Sequence, residues 1–107
     1  MSDHRQHPRQ RTLLSGMVVF DDGARSLGCT IRDLSESGAK IRLPGPEILP
    51  GTVWLIEMRS GMAHRCRVSW RTQLEAGLQF EQSHRLDQGA PEDFARLRPL
   101  WLNAGPR

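Results

Sequence analysis

The chain has 107 residues, 37% of them apolar and 25% charged, and a net charge of +3. That supports one modest hydrophobic core and a binding site built on loops, with little room for both a large enclosed substrate cavity and a second module. No stretch approaches the roughly 20 apolar residues of a membrane span, and the opening Met-Ser-Asp-His-Arg-Gln-His has no apolar leader run, so a cytoplasmic protein without membrane insertion is expected.

Residues 1–11 are polar, basic and interrupted by Pro8, which predicts an extended, flexible arm ahead of a domain over residues 12–107. From 13 to 20 the chain is rich in Val and other apolar residues, Asp21-Asp22-Gly23 is a turn signal, and Leu27, Cys29 and Ile31 alternate with polar or small neighbours. This reads as a β-hairpin. Residues 39–43 alternate again, with an apolar face and a basic face. Three prolines and two glycines make 44–51 a loop. Val53 and Leu55, and with them Glu57, face one side of the next run, while Trp54, Ile56 and Met58 face the other, the pattern of a strand buried on both faces. Ser60-Gly61 turns the chain into 62–70, where Cys66, Val68 and Trp70 share a face, and a short run over 76–80 follows.

Six strand-like runs with turn residues between them predict an antiparallel barrel or sandwich. Closure would leave no exposed strand edge. The tail has helical spacing instead. Pro91-Glu92-Asp93 suits a helix start, Phe94, Leu97, Leu100 and Trp101 share a stripe, and Pro99 limits or kinks a short helix over about 91–98.

Little here suits catalysis. His4, His7, His64 and His84 lie on polar segments, where an exposed histidine is expected, and no pair has metal-ligand spacing, so neither a metal site nor a catalytic residue is expected. Cys29 and Cys66 read as reduced, buried thiols. Cys66 lies between Arg65 and Arg67, but strand alternation turns those arginines to the opposite face.

The basic residues are more informative. Of 15, only Lys40 is lysine, and arginine offers a planar fork for phosphates and guanine edges. Between two strands, Asp33 can accept from a donor edge, Ser35 can donate or accept, and Gly38 permits a positive φ or a close backbone approach. An Asx-turn that merely links two strands would use the same residues. On the arm, Arg5 and Arg9 form an Arg-x-x-x-Arg pair able to curl around an anionic ligand; Arg67 and Arg71 match that spacing too.

An Arg-x-x-x-Arg arm just before the first strand, followed about two strands later by Asp33, Ser35 and Gly38 in the pattern Asp-x-Ser-x-x-Gly, resembles the signature of the bacterial PilZ family. The likeness extends through Cys29-Thr30-Ile31-Arg32, Gly38-Ala39-Lys40-Ile41, Val68-Ser69-Trp70 and Ala76-Gly77-Leu78-Gln79-Phe80. The resemblance implies a mainly β fold, a six-stranded antiparallel β-barrel with a short C-terminal α-helix, and cyclic di-GMP as ligand. It further implies that Arg5 and Arg9 contact phosphates and guanines, that Asp33 and Ser35 hold a guanine, and that Gly38 shapes the loop. The expected role is a receptor, not an enzyme, that orders its arm on binding and signals to an effector protein.

Two other readings compete. A PilZ-like adaptor could keep the fold without binding nucleotide, against which the intact motif residues speak. A basic barrel for single-stranded nucleic acid would need exposed aromatics for base stacking. The chain has no Tyr, and its Trp and Phe residues fall mostly where a core would place them, so nucleic acid is not the expected partner.

Overall fold

A computed structural model describes residues 10–104, with side chains from Thr12 onward. Period-two alternation builds β1 (Gln10–Phe20), β2 (Arg25–Leu34), β3 (Gly38–Arg42), β4 (Thr52–Glu57), β5 (Met62–Arg71) and β6 (Glu75–Arg85). They close into an antiparallel barrel in the order β1-β2-β3-β6-β5-β4. Closure gives every strand a neighbour on each side, although residues 10–14 of β1 run past β4 and residues 25–29 of β2 run past β3. Among the described residues no helix is long and apolar enough to cross a membrane.

The strands carry two cores. Val18, Phe20, Ile31, Ile41, Val53, Leu55, Cys66 and Leu78 fill the barrel. Val19, Ile56 and Ala63 lie on its outer face under Leu86, Phe94 and Leu97. β4 is therefore buried on both faces, as its apolar run predicts, and the C-terminal stripe supplies the cover. Helix α1 (Glu92–Ala95) is a single turn, and α2 (Arg98–Leu102) follows as a second piece. The continuous helix expected over 91–98 is thus split and extended. Pro99 has no N–H to give the carbonyl of Ala95, so the chain restarts a helical turn with Pro99 near its beginning. Trp101 then donates Nε1–H to the Met58 carbonyl at 2.8 Å.

Two turns rest on positive φ. Asp21, Asp22 and Gly23 adopt 54°, 55° and 87° between β1 and β2, a conformation that Asp and Gly tolerate best. Gly61, at 77°, turns β4 into β5 against the Trp101 indole.

The expectation of an exposed His64 is corrected by the structure. It is 5% exposed, with Nε2 2.6 Å from Glu57 Oε2 and Nδ1 2.7 Å from Ser83 Oγ, and its ring stacks on Phe80 at 3.8 Å. The alternation that turns Cys66 inward turns His64, two residues earlier, inward as well. Its polar atoms are satisfied there by partners from β4 and β6, as burial requires.

Candidate functional site

Along β2, Leu27, Cys29 and Ile31 face the barrel interior. Unbroken alternation would turn Asp33 inward and Leu34 outward. The β2–β3 ladder instead shifts register between Ile31 and Asp33, leaving Arg32 as an extra residue. A one-residue bulge exchanges the faces of everything beyond it. Leu34 accordingly packs on the core, while Asp33 stands opposite Lys40, with Lys40 Nζ 3.3 Å from Asp33 Oδ2. Asp33 is 8% exposed, so its carboxylate is largely shielded from solvent and charge-paired.

This pair belongs to a longer row. Arg11 pairs with Asp33, Asp33 with Lys40, Lys40 with Gly77, and Gly77 with Trp70. Four strand spacings of about 4.8 Å make the row about 19 Å long. A second bulge, between Val68 and Trp70 on β5, breaks the alternation that would have grouped Trp70 with Cys66. Trp70 is 43% exposed and lies against Gly77, where a Cβ would come 2.0 Å from its Nε1. Only glycine admits the indole at that distance. Trp70 is thereby held on the sheet with part of its surface open to solvent.

The loop between β2 and β3 closes through Ser35. Its N–H donates to the Gly38 carbonyl at 2.9 Å, and its hydroxyl accepts from the Ser37 N–H at 3.2 Å. Local turn bonding therefore engages Ser35, the behaviour of a serine turn. Gly38 does not use the positive φ that the sequence left open: the positive-φ glycines among the described residues are Gly23 and Gly61. Its need is close approach, since a Cβ there would fall 2.2 Å from the backbone oxygen of Leu78 on β6.

Thr12, Leu13, Arg32, Asp33 and Lys40 line a cleft of about 520 Å³. Thr12 and Leu13 lie on an irregularity of β1, where the ladder shifts between Arg11 and Leu14, and Thr12 Oγ1 donates to the Ile31 carbonyl at 2.5 Å. Arg5 and Arg9 lie outside the described residues. Arg9 directly precedes Gln10, which begins β1 and pairs with Leu34 beside Asp33. The rival spacing match is used elsewhere. Arg67 pairs with Glu81 at 3.2 Å, and Arg71 donates to the carbonyls of Glu47 and Gln73.

Asp33, Lys40 and Trp70 thus face one side of the barrel, with the Ser35–Gly38 turn at its end. The sequence reading missed Lys40 and Trp70 as site residues. Lys40 was detectable, being two residues beyond Gly38 on the basic face of its strand. Trp70 was not, because its exposure depends on the bulge.

Among the described residues, no group of three His, Cys, Asp or Glu side chains could hold a metal ion. Cys66 is buried as expected, whereas Cys29 is only half-buried; desolvation still pushes the Cys29 thiol up to about 12 and raises Cys66 further, so neither is poised as a nucleophile at neutral pH. The family model for the PilZ domain matches residues 3–94, which include both sequence motifs and all six strands. No curated protein matches the chain.

Proposed function

The chain belongs to the PilZ domain family, and we propose that it is a cyclic di-GMP receptor that passes the state of its ligand site to an effector protein. PilZ domains are a family of cyclic di-GMP-binding and adaptor domains rather than enzymes. The observation that carries the reading is the outward-turned Asp33, charge-paired with Lys40 in a cleft at the foot of the arm, with Trp70 on the same row.

Each feature has a chemical counterpart in the ligand. Guanine presents N1–H and N2–H₂ donors, and the Asp33 carboxylate accepts both in a largely desolvated setting where such bonds are strong. Lys40 is free to turn from the carboxylate to a phosphate. The open part of Trp70 offers a surface for a purine. Arg5 and Arg9, arriving just before β1, close over the ligand through bidentate forks and stacking. Ser35 and Gly38 hold the turn beside Asp33. Ordering the arm on the ligand is the switch, because ligand affinity differs between its open and closed states. The messenger is made inside the cell, so the proposed site of action is the cytoplasm.

Calorimetric titration with cyclic di-GMP, with GTP and a single-stranded oligonucleotide as controls, tests the proposal. Saturable heat with cyclic di-GMP alone is expected. A folded protein giving no heat would leave the adaptor reading in its place, and equal binding of the oligonucleotide would favour a nucleic-acid module.

A further inference from the structure

Leu13 is 77% exposed and borders two concavities. One is the cleft with Asp33; the other is a groove of about 1010 Å³ along β1 and β2. Small residues such as Ser15, Gly28 and Thr30 line it, and a Cβ at Gly28 would meet nothing within 4 Å. Leu13, Met17 and Met58 supply apolar surface. β4, β1, β2 and β3 are consecutive in the barrel, so Arg59, just after β4, and Arg42, at the end of β3, flank the groove from opposite sides. Three strand spacings put those flanks roughly 14 Å apart. Neither arginine forms an ion pair within 4 Å among the described residues, although Glu75 stands across from Arg42 on β6, and none of the described residues lining the groove is a carboxylate.

We infer that this groove docks an acidic amphipathic segment of the effector, with apolar side chains on Leu13, Met17 and Met58 and carboxylates reaching Arg42 and Arg59. The inference rests on the receptor reading and names its partner surface. Laid across the groove as an amphipathic helix, such a segment would set its apolar stripe on these side chains and its acids beside them. An exposed leucine flanked by two arginines fits a partner that is apolar along one stripe and acidic beside it. Leu13 also links the sites. Because its side chain borders both concavities, ligand in the cleft and a segment in the groove meet at Leu13, and by linkage each alters the affinity of the other by the same factor.

The test selects binders to the full chain from a displayed library of random dodecapeptides, with and without cyclic di-GMP. Enriched peptides should combine Asp or Glu with Leu, Ile, Phe or Met. A synthesised winner should bind at least tenfold more weakly to an Arg42→Glu/Arg59→Glu protein and to Gly28→Leu, which fills the groove, and its affinity for wild type should change at least threefold with cyclic di-GMP. Basic winners, no winners, or winners indifferent to these variants would overturn the inference. So would a dimer in analytical ultracentrifugation that Gly28→Leu abolishes, which gives the groove to a second copy. Cosedimentation with phosphatidylserine vesicles that is lost on reversing the two arginines would give it to a membrane. Titrating the same variants with cyclic di-GMP keeps the two readings apart, since they lie outside the ligand cleft and should retain its affinity. Wild type that binds cyclic di-GMP but selects no acidic peptide sinks the groove alone; peptide selection without any cyclic di-GMP binding sinks the receptor reading.

Discussion

Lys40 meets Asp33 across β2 and β3 at 3.3 Å, and it can do so because the ladder between those strands passes over Arg32. The pair is asymmetric in its exposure. The carboxylate is mostly buried, whereas about a third of the lysine side chain remains in solvent. Removing the amine leaves a mostly buried carboxylate without its charge partner, which costs more than the loss of a surface ion pair. Lys40→Met should therefore lower stability, by about 1–3 kcal/mol. It should weaken cyclic di-GMP binding about three- to tenfold and reduce the sensitivity of binding to salt. Calorimetry at two ionic strengths measures both; a variant that binds more tightly would show that Lys40 only competes for Asp33.

Asp33→Ala separates recognition from architecture. A charge-assisted hydrogen bond contributes on the order of 1.5–3 kcal/mol, so affinity for cyclic di-GMP should fall at least tenfold. Preference over cyclic di-AMP should fall with it, because adenine lacks the donors that a carboxylate reads. Unchanged guanine preference in a folded variant would remove Asp33 from the ligand site.

Arg5→Ala and Arg9→Ala should each cost at least tenfold in affinity with little change in melting temperature. Arg67→Ala is the control, since Arg67 is engaged with Glu81 on the surface at 3.2 Å. A larger loss from the control than from either arm variant would move the motif away from the N-terminus.

The two site glycines should fail differently. At Gly38 the obstacle to a side chain is the Leu78 backbone oxygen, which cannot move without opening the β3–β6 ladder. Gly38→Ala should lower stability by about 1–3 kcal/mol or more, as overpacking does. At Gly77 the obstacle is the Trp70 indole, a side chain that can swing away. Gly77→Ala should shift tryptophan emission to the red, weaken ligand binding and cost less stability than Gly38→Ala. Equal stability losses would show that Trp70 is as fixed as the backbone.

The two poorly solvated thiols, Cys66 buried and Cys29 half-buried, predict an alkaline weakness. Cys29 is pushed up to about 12 and Cys66 is raised still further, both by desolvation, whereas an unfolded thiol ionises near about 8.5. Above that pH the unfolded chain has released protons that the native protein keeps, so stability falls as pH rises. The contribution is whole below about pH 8.5 and disappears on the way to about pH 12, at roughly 1.4 kcal/mol per pH unit for each thiol. Melting temperatures between pH 7 and 10 should show this decline, and Cys29→Ala should flatten it. At pH 8 both thiols should label slowly in the native protein and rapidly in denaturant. Fast native labelling of Cys66 that depends on Arg65 or Arg67 would restore the reactive-thiol reading.

Much of the barrel was legible because side-chain alternation is local: the inward positions of Val18, Ile31, Ile41, Val53, Leu55, Cys66 and Leu78 follow from period two along each strand. The same is true of the apolar stripe Phe94, Leu97, Leu100 and Trp101, and of the two motifs whose spacing resembled the PilZ signature. His64 was legible too, by the rule that placed Cys66, but its polar chemistry drew it to the surface in the sequence reading. The outward turn of Asp33 and the exposure of Trp70 had no such local sign. Each depends on a bulge, and a bulge belongs to the pairing of two strands rather than to either sequence alone. Register across β1, β2, β3, β6 and β5 is settled when the barrel closes, and only then do Asp33, Lys40, Gly77 and Trp70, up to 37 positions apart in the chain, come to share one face.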